Sequence, residues 1–464
     1  MDIINYSKIK KVENSLTQHE IRLASLEESK VKKYGVRRVL GATTPVLERL
    51  YDAVGKVANA DNDLTKYNIV QNDFDNIFPW SHMRKCIIDA TGRIVYEGEA
   101  SYATTVGDWM IEVPSFYLKH TNDGTYLEYA VSEFPIAGYK QTKKFYIGRF
   151  LTAEVDGIHV SSPNTFPKVN LSRPGFRAKA LEKGTGWQLE DMYANYILNV
   201  LYKIEFANLN SQAILGNGVT SVRYTEDDIL QLAETGTNRA VLLNANANNY
   251  NIGETISMGT SRGNFAGFQY RIITAKNDLG NGTTEIIFDG EPINTLTTYK
   301  LYQAGQKTGK TLNLLSSSGS AVGANGRASI SYRGIEDVFG NTWEWIDGAI
   351  INENIGYVCL DPSKYADTLT VDYKPLSYEN AKSNGYAGEM GYDSNYNFAE
   401  FTVDVTGGST TKYCDYYYQA AGLRAPLVGG TFNNGAGAGL RYWYLSNSPG
   451  GADVNVGARL LKTP

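Results

Sequence analysis

Ile9, Val12, Leu16, His19, Leu23 and Leu26 recur at spacings of 3, 4, 3, 4 and 3. That is the a/d seam of a coiled coil, in which each apolar side chain meets a facing helix. Glu13, Glu20 and Glu27 occupy e positions, and Arg22 at a g position can reach Glu27 of a second chain. The pattern predicts a short parallel oligomerisation stalk over residues 1–30, three-stranded rather than two-stranded, so that the protein is expected to be a homotrimer. His19 then serves as a polar residue that sets register. Three heptads are too few to hold chains together alone, and Ile21 points outward. An amphipathic helix packed on its own protein is therefore the competing expectation.

Beyond the seam the period changes. "GVRRVLGATTPVLERLYDAVG" (35–55) reads as a turn and a short amphipathic helix with Pro45 in its first turn. "NDFDNIFPWSHMRKCIIDATGRIVYEGE" (72–99) gives a turn, an apolar patch and a strand. From about residue 106 the chain becomes β-rich: "DWMIEVPSFYLKH", "TYLEYAVSEF" and "KKFYIGRF" are alternating or continuous apolar runs bounded by turns. "WQLEDMYANYILNVLYKIEFAN" (187–208) places Met192, Tyr196, Ile197, Leu201 and Ile204 at helical spacing, which predicts a long core helix. A Gly/Asn/Thr-rich stretch over 215–330 contains "NDLGNGTT" between two apolar runs, which predicts a hairpin in an inserted β module. The loop "GSAVGANGRAS" lacks the Gly-Lys-Ser/Thr ending and the following helix of a phosphate cradle. The expected units are 1–30, 31–105 and 106–464, the last carrying the insertion.

Composition narrows the classes of function. With 464 residues, 42% apolar and 20% charged, the chain is that of a soluble multidomain protein. A net charge of −5 offers no basic stripe for nucleic acid. No window approaches membrane-spanning length, and the start lacks the plan of a secretory signal. Cys86, Cys359 and Cys414 are far apart and odd in number, and only four histidines occur, so neither a disulfide scaffold nor a zinc site is expected and no cofactor is called for. Assembly in a reducing cytoplasm is expected. Tyr is abundant, 33 against 16 Phe. Tyr with Ser, Gly and Asn is the composition of recognition surfaces, although a β-rich protein also tolerates Tyr on its strands.

"YRGIEDVFGNTWEWIDG" (332–348) is the most specific string. It sets Val338, Phe339, Trp343, Trp345 and Ile346 around a Gly340–Asn341 turn. Strand alternation puts Trp343 and Trp345 on one face as a core anchor and Glu344 on the other. Glu336, Asp337, Glu344 and Asp347 are expected near the surface, solvated or satisfying backbone groups rather than forming a glycosidase pair or a calcium site. The string resembles the Gly-Asn-Val-Trp-Glu-Trp signature of the formylglycine-generating (sulfatase-modifying) enzyme family, a variant of the C-type lectin fold. "KKFYIGRF" is similar to that family's early strand, and the helix after Trp187 falls where its helix comes next. "LVGGTFNNGAGAGLRYWYLSNSPGGADVNVGARL" resembles its final Gly-Gly strand and terminal Gly-x-Arg. The resemblance spans roughly 110–462 and implies an α+β, C-type lectin-like domain. The enzymes use a cysteine pair in the C-terminal strand region, and no cysteine occurs after Cys414 here. The resemblance therefore implies a scaffold without that chemistry.

The closing stretch resembles still more the phage tail-tip receptor-binding proteins and the variable proteins of diversity-generating retroelements. The matching residues are Gly429, Gly430, Phe432 in place of Trp, Asn433, Asn434, Gly435, Ala438, Gly439, Ser448-Pro449 and Val456-Gly457-x-Arg459. Residues 31–105 are similar to the attachment segment that precedes the distal domain of phage tail and fibre proteins. Mapped onto this pattern, the outward ligand-binding positions are Thr431, Asn433, Asn434, Gly437, Tyr442, Tyr444, Ser446, Asn447, Gly451 and Asp453. Tyr442 and Tyr444 alternate onto one face, with Arg441, Trp443 and Leu445 on the other. The calcium-dependent sugar motifs of C-type lectins are absent. The expectation is a phage virion protein that binds a host-surface glycan or protein without catalysis and joins other virion proteins. The rivals are a capsid decoration or head-fibre protein, and a divergent formylglycine-generating enzyme or glycan depolymerase.

Overall fold

In a computed structural model, residues 30–60, 72–314, 316–320 and 325–464 are described. The seam Ile9, Val12, Leu16, His19, Leu23 and Leu26 lies outside them. The architecture is mixed and strand-rich with few helices, and no sheet among the described residues closes into a barrel.

The apolar run Asp108–Val113 lies inside a six-stranded sheet ordered Trp187–Leu189, Leu460–Lys462, Phe145–Gly148, Asp108–Val113, Arg84–Ile88 and Ile94–Tyr96. The chain's last strand thus sits between two much earlier ones. A five-stranded sheet orders Glu48–Tyr51, Lys33–Val39, Tyr126–Ser132, Tyr117–Asn122 and Lys140–Gln141. Both sheets cross the boundary expected at residue 105. Val36 pairs with Tyr129 and Cys86 with Met110, so residues 33–96 are woven into the same layers as the strands beyond residue 105.

The helix expected around Pro45 is instead the antiparallel pair Lys33–Val39 and Glu48–Tyr51. Tyr34, Val36 and Arg38 alternate into the interior, and the neighbouring strand offers a ladder that a short isolated helix cannot match. Gly35 permits the approach, because a Cβ there would lie 2.8 Å from the Tyr129 carbonyl oxygen.

The long helix runs Met192–Phe206, with Asp191 as N-cap accepting from the Ala194 amide. Trp187–Leu189, expected as its first turn, pairs instead with Leu460–Lys462. Tyr196, Ile197, Val200, Leu201 and Ile204 enter the largest apolar cluster, together with Val36, Tyr129 and Trp443. A second helix, Arg173–Leu181, was not evident from apolar periodicity; Ser172 caps it and Pro174 stands in its first turn.

Residues 239–303 form a five-stranded sheet with its own apolar cluster, which includes Leu242, Tyr250, Ile256, Ile286 and Leu301. The hairpin read from "NDLGNGTT" joins Phe268–Asp278 to Thr283–Phe288, with Gly280 and Gly282 at positive φ in the turn.

The closing sheet orders Gly385–Tyr386, Tyr416–Gln419, Gly439–Leu445, Leu427–Gly429, Trp343–Trp345 and Val456–Gly457. Trp343 and Trp345 are buried in one cluster, while Glu344 turns to Arg459. Gly340 and Asn341 both take positive φ in the preceding turn. A Cβ at Gly340 would stand 2.8 Å from the Val219 carbonyl oxygen, so the turn requires glycine on two counts.

Candidate binding face

The strand Gly439–Leu445 lies between Leu427–Gly429, antiparallel, and Tyr416–Gln419, parallel. Its alternation sorts the side chains as the sequence predicts. Trp443 packs edge-on to Phe401 at 5.0 Å, and its indole N–H donates to the Glu400 carbonyl oxygen at 3.0 Å. Arg441 pairs with the Glu400 carboxylate, which also takes Lys203 at 3.0 Å. Burial alone would raise the Glu400 pKa, but Arg441 and Lys203 hold it down to about 2. This face anchors the strand.

Tyr442 and Tyr444 take the opposite face, 4.6 and 5.1 Å from the Trp343 ring. The parallel register sets Tyr418 beside Tyr444, and the two rings stack at 5.1 Å. Tyr416 meets Tyr442 at 5.7 Å, and Tyr386 meets Tyr416 at 5.3 Å. Six rings drawn from four strands thus form one continuous cluster. Trp343 and Tyr442 are buried at its centre, whereas Tyr386, Tyr416, Tyr418 and Tyr444 are half-buried around it. Among the described residues no protein group hydrogen-bonds to the hydroxyls of these five tyrosines, whereas core Tyr417 next door donates to the Ala381 carbonyl oxygen at 3.0 Å. Burial pushes the Tyr442 phenol pKa upward. Tyr444, Tyr416, Tyr386 and Tyr418 add to that shift.

No protein-family model matches this chain, and no curated protein matches it. Among solved structures, the chain is similar to the "Major Tropism Determinant U1 Variant" at 12% identity, over 82% of this chain and 71% of that one, with a TM-score of 0.25. A superposition that loose leaves function to be argued from this chain's own residues.

The ten positions expected to face outward divide. Asn433 and Asp453 are exposed, and Asn434, Tyr444, Ser446, Asn447 and Gly451 are half-buried. Thr431, Gly437 and Tyr442 are buried, contrary to expectation. Thr431 donates its hydroxyl to the Asn341 carbonyl oxygen at 3.2 Å, which ties the Gly-Gly loop down onto the Trp motif. The Gly435 amide bonds the Thr220 carbonyl oxygen at 2.7 Å, and Phe432 meets Tyr224 edge-on at 5.3 Å. Gly437 lies under Tyr416, where a Cβ would approach the Tyr416 Cβ to 3.2 Å. Tyr442 is buried because the Trp343 and Tyr416 rings cover it. The structure therefore brings Gly437, Tyr442 and Tyr444 to the aromatic cluster, whereas Thr431 and Asn434 belong to a loop held by Asn341 and Thr220. Tyr386, Tyr416 and Tyr418 were not singled out by the sequence pattern, although the run "YCDYYYQ" (413–419) carries the signal for Tyr416 and Tyr418.

The motif's acids are buried rather than near the surface; Glu336, Asp337, Glu344 and Asp347 are each at most 3% exposed. Glu336 accepts from the Gly309 and Thr311 amides, both at 2.7 Å. Asp337 accepts from Asn341 at 2.9 Å and Ser329 at 3.0 Å, and Asp347 takes two bonds from Arg177. Burial, with Glu336 beside it, pushes Asp337 up to about 8. These carboxylates hold loops together. All three cysteines are buried free thiols; burial pushes Cys86 and Cys414 up to about 12 and raises Cys359.

Proposed function

We propose that this chain is a bacteriophage virion protein that binds a host-surface glycan or protein through the tyrosine face of a C-type lectin-like domain. The binding face in this reading rests on one observation, and its virion setting on the resemblance of the closing stretch from Gly429 to Arg459. Half-buried rings pack against one another, and their hydroxyls are left without protein partners among the described residues. Tyr in that setting offers contact area at little entropic cost and a hydrogen-bonding tip for a ligand. Binding would proceed without chemistry, since burial raises the three thiols away from the reactive thiolate form and the motif's acids are committed to backbone and side-chain partners. A stalk over 1–30 would gather the domains into a homotrimer, and other virion proteins would hold them in place. The ligand-binding set becomes Tyr386, Tyr416, Tyr418 and Tyr444, with Ser446 and Asn447 next on the same chain segment.

The test uses the full chain, labelled, with Tyr418→Ala and Tyr444→Ala singly and together. Attachment to host cells and thermal melting are measured on the same samples. Each single change should cost roughly 1–3 kcal/mol of binding with little change in melting. Undiminished attachment by a folded double variant moves the binding site elsewhere.

A further inference from the structure

A pocket of about 240 Å³ opens where the first turn of the helix Met192–Phe206 meets the last strand, Leu460–Lys462, and the segment from Cys359 to Tyr365. Phe145, Met192, Ala194, Phe398 and Leu461 form its floor, each at most 7% exposed. Its accessible wall is also apolar. Leu360 is 58% exposed, Pro362 is exposed, and the rings of Tyr193 and Tyr365 are half-buried.

The charged groups lining the pocket are Lys143, Lys144 and Asp191, and their charges do not cancel. Asp191 is buried and already holds three donors: the Ala194 amide at 2.8 Å, the Gln188 side-chain amide at 2.8 Å and the Tyr365 hydroxyl at 3.0 Å. Lys144 meets Glu112 at 2.9 Å. Lys143 is exposed and enters no ion pair among the described residues. Burial raises the Asp191 carboxyl, and the Lys143 ammonium is close enough to offset part of that rise. The Tyr193 hydroxyl accepts from the Lys143 amide at 3.3 Å, and its own proton has no acceptor among the described residues. An ammonium and a phenol proton are thus left to donate beside an apolar wall.

We infer that this pocket is a second binding site, and that it takes a small apolar carboxylate: one ring or a short alkyl chain ending in a single carboxylate group. The apolar body lies against Leu360, Pro362 and the two tyrosine rings, and the carboxylate accepts from Lys143 and Tyr193. A cation or a zwitterion is poorly served, because the one acid in the lining is buried under its own three donors. A neutral apolar ligand leaves the Lys143 charge unanswered. Size agrees with this class. A cavity of about 150 Å³ holds benzene, so this one has room for a single ring with its acid group. A mostly apolar lining with a few placed polar groups is the usual composition of a small-molecule site. The pocket shares no residue with the tyrosine cluster, so this inference stands apart from the proposal above.

The experiment titrates the full chain with benzoate, phenylacetate and hexanoate, each followed by calorimetry. Benzamide, phenylacetamide and hexanamide are the uncharged controls, benzylamine is the cationic one, and acetate carries the charge without the apolar body. At least one of the three carboxylates should bind, about tenfold more tightly than its own amide, as expected for a hydrogen bond to a charged group. Lys143→Ala should weaken it by a similar factor. Tyr193→Phe, which keeps the ring, should weaken it as well, and Tyr444→Ala should not. The melting temperature of each variant confirms that it is folded. Silence from all three carboxylates at about 20 mM, well beyond a weak millimolar site, overturns the inference. An amide, benzylamine or acetate that binds as tightly as the best carboxylate also overturns it, as does an unchanged affinity in folded Lys143→Ala. A response abolished by Tyr444→Ala assigns the carboxylate to the tyrosine face and sinks the pocket.

Discussion

Arg459 clasps Glu344 through two parallel hydrogen bonds, Nε to Oε2 at 2.9 Å and Nη2 to Oε1 at 3.0 Å. The same guanidinium donates to the carbonyl oxygens of Gly148, Glu336 and Asp337. One buried side chain therefore joins the closing Gly-x-Arg, the Trp-Glu-Trp strand and an early strand of the domain. Removing it strands a buried carboxylate and three carbonyls. Arg459→Met should cost about 3–5 kcal/mol, and Arg459→Met with Glu344→Leu should cost less than the single change. Denaturant unfolding of both variants checks this; equal or greater loss in the double variant contradicts it.

Trp345 is fully buried, with its indole N–H donating to the Leu171 carbonyl oxygen at 3.2 Å. Trp343 lies under Tyr442 and Tyr444. Either residue changed to Ala should cost about 3–5 kcal/mol. Parent-like melting of both variants would show that the core has been misplaced.

Tyr442 and Tyr444 share a strand face but should behave differently. Tyr442→Ala should destabilise by about 3 kcal/mol because its ring is covered on both sides. Tyr442→Phe should melt like the parent, since no protein group among the described residues engages the hydroxyl. Tyr444→Ala at the half-open rim should cost under about 1 kcal/mol. Comparable losses for the two Ala variants would remove the distinction between floor and rim.

Burial, with Glu344 close by, pushes the Glu190 carboxyl up to about 8. A carboxyl raised in the folded state adds stability below its ordinary pKa of about 4.3 and loses it as pH rises through the folded value. Glu190→Gln has no proton to lose. Its melting temperature should therefore climb relative to the parent's between about pH 4.5 and 8, then level off. A constant gap across that window would mean Glu190 is ionised throughout.

The stalk is checked by light scattering. If residues 1–30 form a three-stranded seam, the intact chain is a trimer at micromolar concentration, and a chain lacking them is a monomer with unchanged domain melting. A monomeric intact chain removes the seam as an assembly device.

Local patterns were the legible part. Alternation placed Asp108–Val113, Tyr126–Ser132 and the two faces of Gly439–Leu445, because a strand's period of two depends only on neighbouring residues. Glycine chemistry placed the hairpin at Gly280–Gly282 and the turn at Gly340–Asn341 for the same reason. Partner choice was not legible. Lys33–Val39 is a strand because Tyr126–Ser132, far along the chain, lies beside it, and Trp187–Leu189 because the last strand returns to pair with it. Burial of charge was equally hidden: Glu336 and Asp337 look like surface acids until the amides of Gly309 and Thr311 and the side chain of Asn341 surround them.

The same division runs through the binding face. The sequence alone determined that Tyr442 and Tyr444 point one way and Trp443 the other, since pleating is a property of the strand. Only the tertiary structure decided that Tyr442 is floor and Tyr444 is rim, and that Tyr386, Tyr416 and Tyr418 complete the cluster. Which rings meet depends on the order and register of strands far apart in the chain, and that order is set by long-range pairing that no local period encodes.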